Sequence, residues 1–243
     1  MTQTHPNPVA IVTGAGRGIG RAIALALARE GYSLAIASRS RDELEQTRRL
    51  TGLPADRALI VLIDLAEQDA AEMLFEATID CFDRIDVLVN NAGWAPARTS
   101  ILKMVDADTH RVLDVNLRTP IALSRLVARR MAEAGAGAIV NIASTAATNS
   151  PAGEAVYAAA KAGIVAFTRA AFADLREYGI KVSVIIPGLV DTALIPASKR
   201  LDRSMMLAPD DVASAVVAIV KSPAHSCPVE IVLHPQRAPE RNR

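Results

Sequence analysis

The chain has 243 residues, of which 51% are hydrophobic, 22% charged and 3% aromatic, and its formal net charge at pH 7 is +1. A chain of this length and apolar content can bury a large core, either as one α/β domain or as two small ones. The near-zero charge, with no basic stripe interleaved with aromatic residues, argues against nucleic acid as a partner.

Two further features bear on the compartment. Residues 1–8 are polar and lack the basic-then-apolar pattern of a secretory signal, and the apolar runs stay far below the roughly 18 residues needed to span a bilayer. Cys81 and Cys227 lack metal-ligand spacing and are interpreted as ordinary thiols of a reducing compartment. The sequence therefore predicts a cytoplasmic protein with no membrane partner and no metal site.

Apolar runs alternate with helix-forming stretches along the whole chain. The predicted strands are residues 9–13, 34–38, 58–64, 87–90, 138–142, 182–186 and 229–233. The predicted helices are residues 21–30, 41–50, 67–82, 107–134, 154–178 and 210–220. Ser40 and Glu43 are spaced as a capping box for the second of these helices.

This alternation determines the fold class. Continuously apolar strands indicate burial on both faces, as in a parallel sheet. Strands separated by helices predict βαβ units, hence a doubly wound, Rossmann-like α/β sheet of about seven parallel strands. Because no linker or composition shift interrupts the pattern, residues 1–243 are expected to form a single dinucleotide-binding and catalytic domain, with flexible tails at 1–8 and 236–243.

The first strand leads into a glycine-rich turn and then a helix. The turn reads Thr-Gly-Ala-Gly-Arg-Gly-Ile-Gly from Thr13 to Gly20, which fits Thr-Gly-x-x-x-Gly-x-Gly rather than Gly-x-Gly-x-x-Gly. Backbone N–H groups of such a turn, with the positive end of the helix, form a cradle for a pyrophosphate. The alternative is that the glycines serve only a tight turn.

The residues after the second strand indicate which dinucleotide is bound. An acidic residue there would bind the ribose 2′-hydroxyl of NAD, whereas an arginine accommodates the 2′-phosphate of NADP. This chain has Ser38 and Arg39, with no carboxylate before Asp42, and Arg17 in the loop adds a second cation. The pattern favours NADP(H) over NAD(H), unless both arginines are merely solvated surface charges.

Tyr157 and Lys161 lie four residues apart in an alanine-rich run, so they share one face of a helix. A neighbouring ammonium favours the phenolate, and lowering a tyrosine pKa from about 10 to about 7 requires about 4 kcal/mol of differential stabilisation. Such a pair also arises by chance. Its weight therefore depends on the other motifs of the chain.

Taken together, the motifs resemble the short-chain dehydrogenase/reductase family in its single-domain form, over nearly the whole chain. The matching residues are Thr13–Gly20, Asp64 after the third strand, Asn90-Asn-Ala-Gly93 after the fourth, Asn116, Ser144, Tyr157-x-x-x-Lys161, Pro187-Gly188 and Thr192.

The resemblance implies a role for each matching residue. Tyr157 would be the general acid in carbonyl reduction and the base in alcohol oxidation, and Lys161 would lower its pKa and bind the nicotinamide ribose. Ser144 would polarise the substrate oxygen, and Asn116 would hold a water in a relay to Lys161. Asp64 would contact the adenine, and Val190 with Thr192 would hold the carboxamide. The full set implied to contact the cofactor is Gly14, Arg17, Gly18, Ile19, Gly20, Ser38, Arg39, Asp64, Leu65, Asn90, Ala92, Gly93, Tyr157, Lys161, Pro187, Gly188, Val190 and Thr192.

The substrate side is less well defined by the sequence. Ser144, Trp94, Met205 and Met206 are candidates for substrate contact, although Trp94 and the methionines could equally have packing roles. The last strand is followed by a polar tail instead of the family's glycine-rich segment, and the lid stretch between Thr192 and Pro209 is short. Because of these departures, the sequence makes no prediction for the C-terminal side of the substrate pocket.

The predicted function is that of an NAD(P)-dependent oxidoreductase acting on a small-molecule carbonyl or secondary alcohol. The alternative is a dinucleotide-binding sensor or scaffold protein without turnover, which has no need of a complete catalytic set. Small side chains in the helices at 107–134 and 154–178 permit close helix packing, and the corresponding helices of the family pack across a two-fold axis. A homodimer or homotetramer is therefore expected.

Overall fold

The computed structural model describes residues 6–195, 198 and 201–239. Residues 1–5 and 240–243 of the predicted tails, and 196, 197, 199 and 200 of the predicted lid, lie outside the described residues. Seven parallel strands form one sheet in the order β3-β2-β1-β4-β5-β6-β7. The strands are β1 (Val9–Thr13), β2 (Ser33–Ser38), β3 (Ala58–Leu62), β4 (Val87–Asn90), β5 (Gly137–Ile142), β6 (Ile180–Pro187) and β7 (Glu230–Leu233).

The predicted doubly wound parallel sheet is confirmed. The strand order reverses between β1 and β4, which pair through Val12 and Val89, while β1 pairs with β2 on its other side. Ligands of open α/β sheets bind in the crevice at the carboxyl ends of the strands flanking such a reversal. The third strand is shorter than predicted, because Asp64 belongs to a turn in which its carbonyl accepts from the N–H of Glu67 at 3.1 Å.

Helices cover both faces of the sheet. They are α1 (Gly18–Arg29), α2 (Arg41–Thr51), α3 (Ala70–Phe82), α4 (Asp106–Leu113), α5 (Thr119–Ala134), α6 (Ala146–Asn149), α7 (Ala155–Leu175) and α8 (Pro209–Lys221), with short 3-10 turns at Ala55–Arg57, Ile101–Lys103, Arg176–Tyr178 and Arg203–Met205. One core cluster joins Val12 to Leu27 of α1 and Val216 of α8, and the other joins Ile11 to Leu74 of α3 and Val127 of α5. Alternate residues of β1 thus enter the two cores, which explains its continuously apolar sequence.

Several predicted helices differ in detail from the structure, and the one predicted at 21–30 begins at Gly18. The helix predicted at 67–82 begins at Ala70, since the preceding residues form turns. The helix predicted at 107–134 is interrupted by a π-helical segment, Asp114–Arg118, between α4 and α5. Such π segments are rare inside helices and occur frequently at functional sites. This one contains Asn116.

The capping box predicted at α2 forms only in part. The Ser40 hydroxyl accepts from the Glu43 N–H at 3.4 Å, as the box requires. The Ser40 N–H, however, donates to the Ser38 hydroxyl at 3.3 Å rather than to the Glu43 carboxylate. The carboxylate of Glu43 is therefore turned elsewhere.

Among the described residues, one helical stretch, Ala155–Tyr178, is long and apolar enough to cross a membrane by length and composition. In the fold it packs beside β6 and carries a buried lysine on its inner face. At the C-terminal end, residues 236–238 are exposed, whereas Pro239 is buried and its carbonyl accepts from the Asp202 N–H of the lid region at 2.8 Å.

Candidate active site

The glycine loop packs directly against the segment that follows β4. Gly14 and Gly18 have φ of 65° and 52°, which only glycine adopts without strain. A Cβ on Gly20 would overlap the carbonyl of Gly14, so this position has no room for a side chain. The Thr13 hydroxyl accepts from the N–H groups of Asn91 and Ala92, each at 3.0 Å, and thereby joins the two sides of the crevice.

Two side chains that the sequence analysis did not identify donate hydrogen bonds to backbone carbonyls of the glycine loop. The buried Thr47 hydroxyl lies 2.9 Å from the Ala15 carbonyl and 3.3 Å from the Gly16 carbonyl. Arg21 donates to the Gly16 carbonyl through Nη2 and, at 3.0 Å, through Nε, and its Nε is 3.1 Å from the Thr47 hydroxyl. The N–H groups of Gly14 and Ala15 donate to the Ala37 carbonyl at 2.8 and 3.2 Å, so it is the N–H groups at the start of α1 that are available to the crevice.

The first turn of α1 has the properties of an anion site. Within the described chain, its N-cap residue Arg17 makes no side-chain capping hydrogen bond, and the turn contains no acidic residue. The first N–H groups of a helix have no intrahelical partners, and the helix dipole favours a negative charge there. Gly18 faces Thr192 across the crevice, with a Cβ position 3.2 Å from the threonine methyl. The loop therefore fits the pyrophosphate of a dinucleotide.

Each of the two predicted phosphate-binding arginines faces a carboxylate. Arg17 Nη1 lies 3.6 Å from Glu43 Oε1, and Arg39 Nη1 lies 3.9 Å from Asp64 Oδ2. Both distances exceed those of a hydrogen bond. Ser38 completes the group at the end of β2.

Asp64 has a closer partner that the sequence analysis also missed. Arg111 of α4 donates to Asp64 Oδ2 at 2.7 Å, and the Ala66 N–H donates to Oδ1 at 3.0 Å. Partial burial opposes ionisation, but these two hydrogen bonds and the charges of Arg111 and Arg39 hold the pKa of Asp64 below its usual value. The Arg111 guanidinium also lies 5.5 Å from the centroid of the Trp94 ring. Predicted adenine and substrate contacts are thus joined by one arginine.

Ser144, Tyr157 and Lys161 come together at the ends of β5 and α7. The Ser144 hydroxyl accepts from the Ala146 N–H at 3.1 Å and lies close enough to the Tyr157 hydroxyl to lower the pKa of that phenol in part. Lys161 is 4% exposed, and its Nζ donates to the Ile142 carbonyl at 2.9 Å and lies 5.7 Å from the centroid of the Tyr157 ring.

The electrostatics of this group differ from the expectation. The pKa of Tyr157 is raised to about 12. Burial is the largest cause, the nearby Ser144 hydroxyl opposes the rise in part, and the charge of Glu154 adds to it. Burial likewise lowers the pKa of Lys161 to about 8. In the protein without cofactor, the lysine therefore does not bring the tyrosine pKa down, and the phenol holds its proton throughout the neutral range.

Asn116 is fixed by the π segment beside this group. Its Nδ2 donates to the carbonyls of Trp94 at 2.7 Å and Val112 at 2.9 Å. Its Oδ1 is buried and has no hydrogen-bond partner within the described residues. A Cβ on Gly93 would lie 3.2 Å from Oδ1 and 3.7 Å from Lys161 Nζ. An unpaired buried acceptor beside an ammonium is a site for a hydroxyl or water that donates to it.

Other predicted cofactor residues take structural positions around the crevice. Asn90 donates from Nδ2 to Asn141 at 2.9 Å and to Ser124 at 3.0 Å, so its side chain joins β4, β5 and α5 in the core. Leu65 is buried in the core cluster that contains Ile11, and Ile19 packs against the core cluster that contains Val12. Val190 forms an isolated bridge with Leu207, and Gly188 donates to the Leu233 carbonyl at 2.8 Å. The carbonyl of Pro187 accepts from the Thr145 N–H at 3.0 Å.

The structure separates the predicted substrate residues. Met205 and Met206 line a cavity of about 610 Å³ with Leu233, His234 and Pro235, and none of the catalytic set is among the described residues lining it. Tyr157 instead borders a small, mostly apolar cavity of about 30 Å³, which the sequence analysis did not identify. Its apolar lining includes Pro96, Met104, Val105, Val112 and Val156.

Several known proteins are similar to this chain in sequence or in fold. Residues 8–201 match the model of the short chain dehydrogenase family. A subunit of (2S)-[(R)-hydroxy(phenyl)methyl]succinyl-CoA dehydrogenase from Thauera aromatica is 33% identical, over 87% of this chain and 88% of its own. An acetoacetyl-CoA reductase from an Acinetobacter strain is also 33% identical, over 87% and 90% of the two chains. The crystal structure of a metagenomic short-chain oxidoreductase in complex with NADP superposes with a TM-score of 0.83 at 30% identity, over 97% of this chain and 100% of the other.

Proposed function

The chain belongs to the short-chain dehydrogenase/reductase family, and from this premise we propose that it is an NADP(H)-dependent oxidoreductase of carbonyls or secondary alcohols with Tyr157 as general acid and base. The observation that carries the proposal is the placement of Ser144, Tyr157, Lys161 and Asn116 at one end of a crevice, of which the uncapped first turn of α1 forms another wall.

The dinucleotide would be held by the glycine loop, Thr192 and the residues after β2, and when bound it supplies or accepts the hydride. Tyr157 holds a proton at its hydroxyl, ready for the oxygen on which negative charge develops during reduction. The Ser144 hydroxyl, which lies beside that of Tyr157, orients that oxygen and stabilises its charge. Glycine at 93 keeps the space before Lys161 and Asn116 open.

The charge distribution after β2 supports NADP(H) as the cofactor. Arg17 and Arg39 are both exposed toward the crevice rim, with 64% and 57% of their side chains accessible. A 2′-phosphate carries nearly two negative charges, and arginine binds such a group through two hydrogen bonds at once. The solved neighbour in complex with NADP is consistent with the same choice.

Acyl-CoA thioesters are the first substrates to test, because the names of two relatives specify them. The cavity beside Tyr157 has an apolar lining but a volume of only about 30 Å³, so it can accept no more than a small apolar group next to the reactive carbon. The exposed Cys81 and partly buried Cys227 are both free thiols, in keeping with the cytoplasmic location that we propose.

The function is tested by steady-state oxidation of NADPH over a panel of ketones, 3-oxo acids, quinones and acetoacetyl-CoA. We expect turnover with at least one carbonyl class and lower activity when NADH replaces NADPH. Tight binding of NADPH without turnover of any panel member would instead support the sensor or scaffold. A preference of the enzyme for NADH would contradict the cofactor assignment alone.

A further inference from the structure

Glu43 of α2 lies at the point where the proposed 2′-phosphate would bind. Its Oε1 is 3.6 Å from Arg17 Nη1. Its Oε2 and the Ser38 hydroxyl lie 3.0 and 3.1 Å from the position of a Cβ on Gly16. The carboxylate, the hydroxyl at the end of β2 and the turn of the glycine loop therefore meet in one small region, which the absence of a side chain on Gly16 leaves open.

The backbone of Glu43 is fixed while its carboxylate is not needed for the helix cap. The Glu43 N–H donates to the Ser40 hydroxyl at 3.4 Å, and its carbonyl is 3.0 Å from the buried Thr47 hydroxyl. The Ser40 N–H that a capping-box glutamate would accept is bonded to Ser38 instead. The side chain is thus anchored at its base and directs its charge toward Arg17.

The two arginines of this region are held differently. Asp64, which faces Arg39 at 3.9 Å, already accepts from Arg111 at 2.7 Å, so its charge is largely matched by another cation. Glu43 faces Arg17 without a comparable hydrogen bond from a second arginine among the described residues. A phosphate bound by Arg17 would therefore compete with the Glu43 carboxylate and be repelled by it.

We propose that Glu43 is a specificity-determining residue that weakens recognition of the 2′-phosphate, so that the enzyme distinguishes NADPH from NADH less than its two arginines alone would allow. This inference rests on the proposed function. It assigns part of the control over this discrimination to a carboxylate outside the glycine loop and separate from Ser38 and Arg39 at the end of β2.

The test measures binding of two fragments to the intact protein by titration calorimetry. Adenosine 2′,5′-bisphosphate carries the distinguishing phosphate, and adenosine 5′-monophosphate lacks it. Removing one partly exposed carboxylate near a doubly charged phosphate should tighten the bisphosphate about three- to tenfold in Glu43→Gln, and leave the monophosphate within about twofold. The gain should shrink at high ionic strength, because salt screens exposed charges.

Glu45→Gln is the matched control, since Glu45 lies on the same helix but pairs with Arg48 at 2.9 Å. It makes the same change of charge and should alter neither affinity. Unchanged or weaker binding of the bisphosphate by Glu43→Gln, in a protein that binds NADPH, overturns this inference and leaves the proposed function standing. A wild-type protein that binds neither NADPH nor the bisphosphate overturns both.

Discussion

At the scale of single residues, the burial of Lys161 makes the free energy of unfolding depend on pH. The side chain is 4% exposed, and desolvation lowers its pKa from the ordinary value of 10.5 to about 8. Below pH 8 the folded protein must hold a buried ammonium, a cost that disappears as pH rises through the window from about 8 to 10.5. The difference of about 2.5 units corresponds to about 3 kcal/mol.

Lys161→Met should remove this cost together with the hydrogen bond to the Ile142 carbonyl. Because the lost hydrogen bond costs about 1–3 kcal/mol at every pH, the informative quantity is the pH dependence. The free energy of unfolding of the wild type, relative to the variant, should rise between pH 8 and 10. Chemical denaturation at several pH values measures it, with Lys103→Met at an exposed position as the control. If the free energies of unfolding of the wild type and Lys161→Met change with pH in parallel, burial does not disfavour the charged form of Lys161.

The sequence predicted which side chains would meet at the crevice but not their electrostatics. Tyr157 and Lys161 were placed on one face from their spacing alone, and α7 brings them together with Ser144. The pKa of each depends on how much solvent the surrounding strands and helices remove, and spacing carries no such information. Arg111 was missed for a similar reason, since its contact with Asp64 joins residues 47 positions apart.

At the scale of elements, the position of the glycine loop depends on α2. Thr47 is fully buried, and its hydroxyl contacts the Ala15, Gly16 and Glu43 carbonyls and accepts from Arg21. Thr47→Val keeps the shape but removes this hydroxyl. Losing one hydrogen-bonding group that orients the turn should weaken NADPH and NADH alike by about tenfold.

Fluorescence titration of both dinucleotides checks this prediction. Thr47→Ser retains the hydroxyl while losing the methyl group, and we expect it to bind both cofactors nearly as the wild type does. If Thr47→Val binds as the wild type, or if the valine and serine variants are weakened equally, the hydroxyl does not position the loop.

The elements were largely predictable, and their irregularities were not. Apolar runs predicted all seven strands, of which the five inner ones are largely buried on both faces, whereas the edge strands β3 and β7 are only partly buried. The π segment at Asp114–Arg118 escaped prediction because it retains helical periodicity on either side. Leu117 of this segment packs against α7 at Gly163, where a Cβ would lie 3.1 Å from both leucine methyls. The π segment is therefore evident only from its packing against α7 in the folded chain.

At the scale of the whole molecule, α7 presents a face of small side chains. Six exposed alanines recur along it at intervals of three or four residues, namely Ala155, Ala159, Ala162, Ala166, Ala170 and Ala173. Residues at this spacing form one stripe along a helix, and small side chains let another helix approach closely. We predict that this stripe lies in the interface of a homodimer or homotetramer.

Ala166→Arg should then shift the protein toward smaller assemblies, because the new side chain separates the helices and adds a charge. Light scattering coupled to size exclusion at micromolar concentration measures the mass. Ala55→Arg, at an exposed position in the 3-10 turn between α2 and β3, should leave the mass unchanged. A wild-type monomer, or an unaltered oligomer in Ala166→Arg, would contradict the prediction.

The fold of the whole chain could be predicted because local patterns and the order of motifs agree along its length. The substrate could not, because the cavity beside Tyr157 is built from the segment after β4, α4 and the start of α7, which meet only in the folded chain. Met205 and Met206 lie within the predicted lid, yet they line a different cavity.

The most direct test of the account is the turnover of Tyr157→Phe with NADPH and the best carbonyl substrate of the panel. The variant keeps the ring and removes only the hydroxyl that holds the proton. We expect kcat to fall by about 10² or more, while the Kd for NADPH changes little. Near-normal turnover in a folded variant that binds NADPH would contradict the assignment of Tyr157 as the general acid.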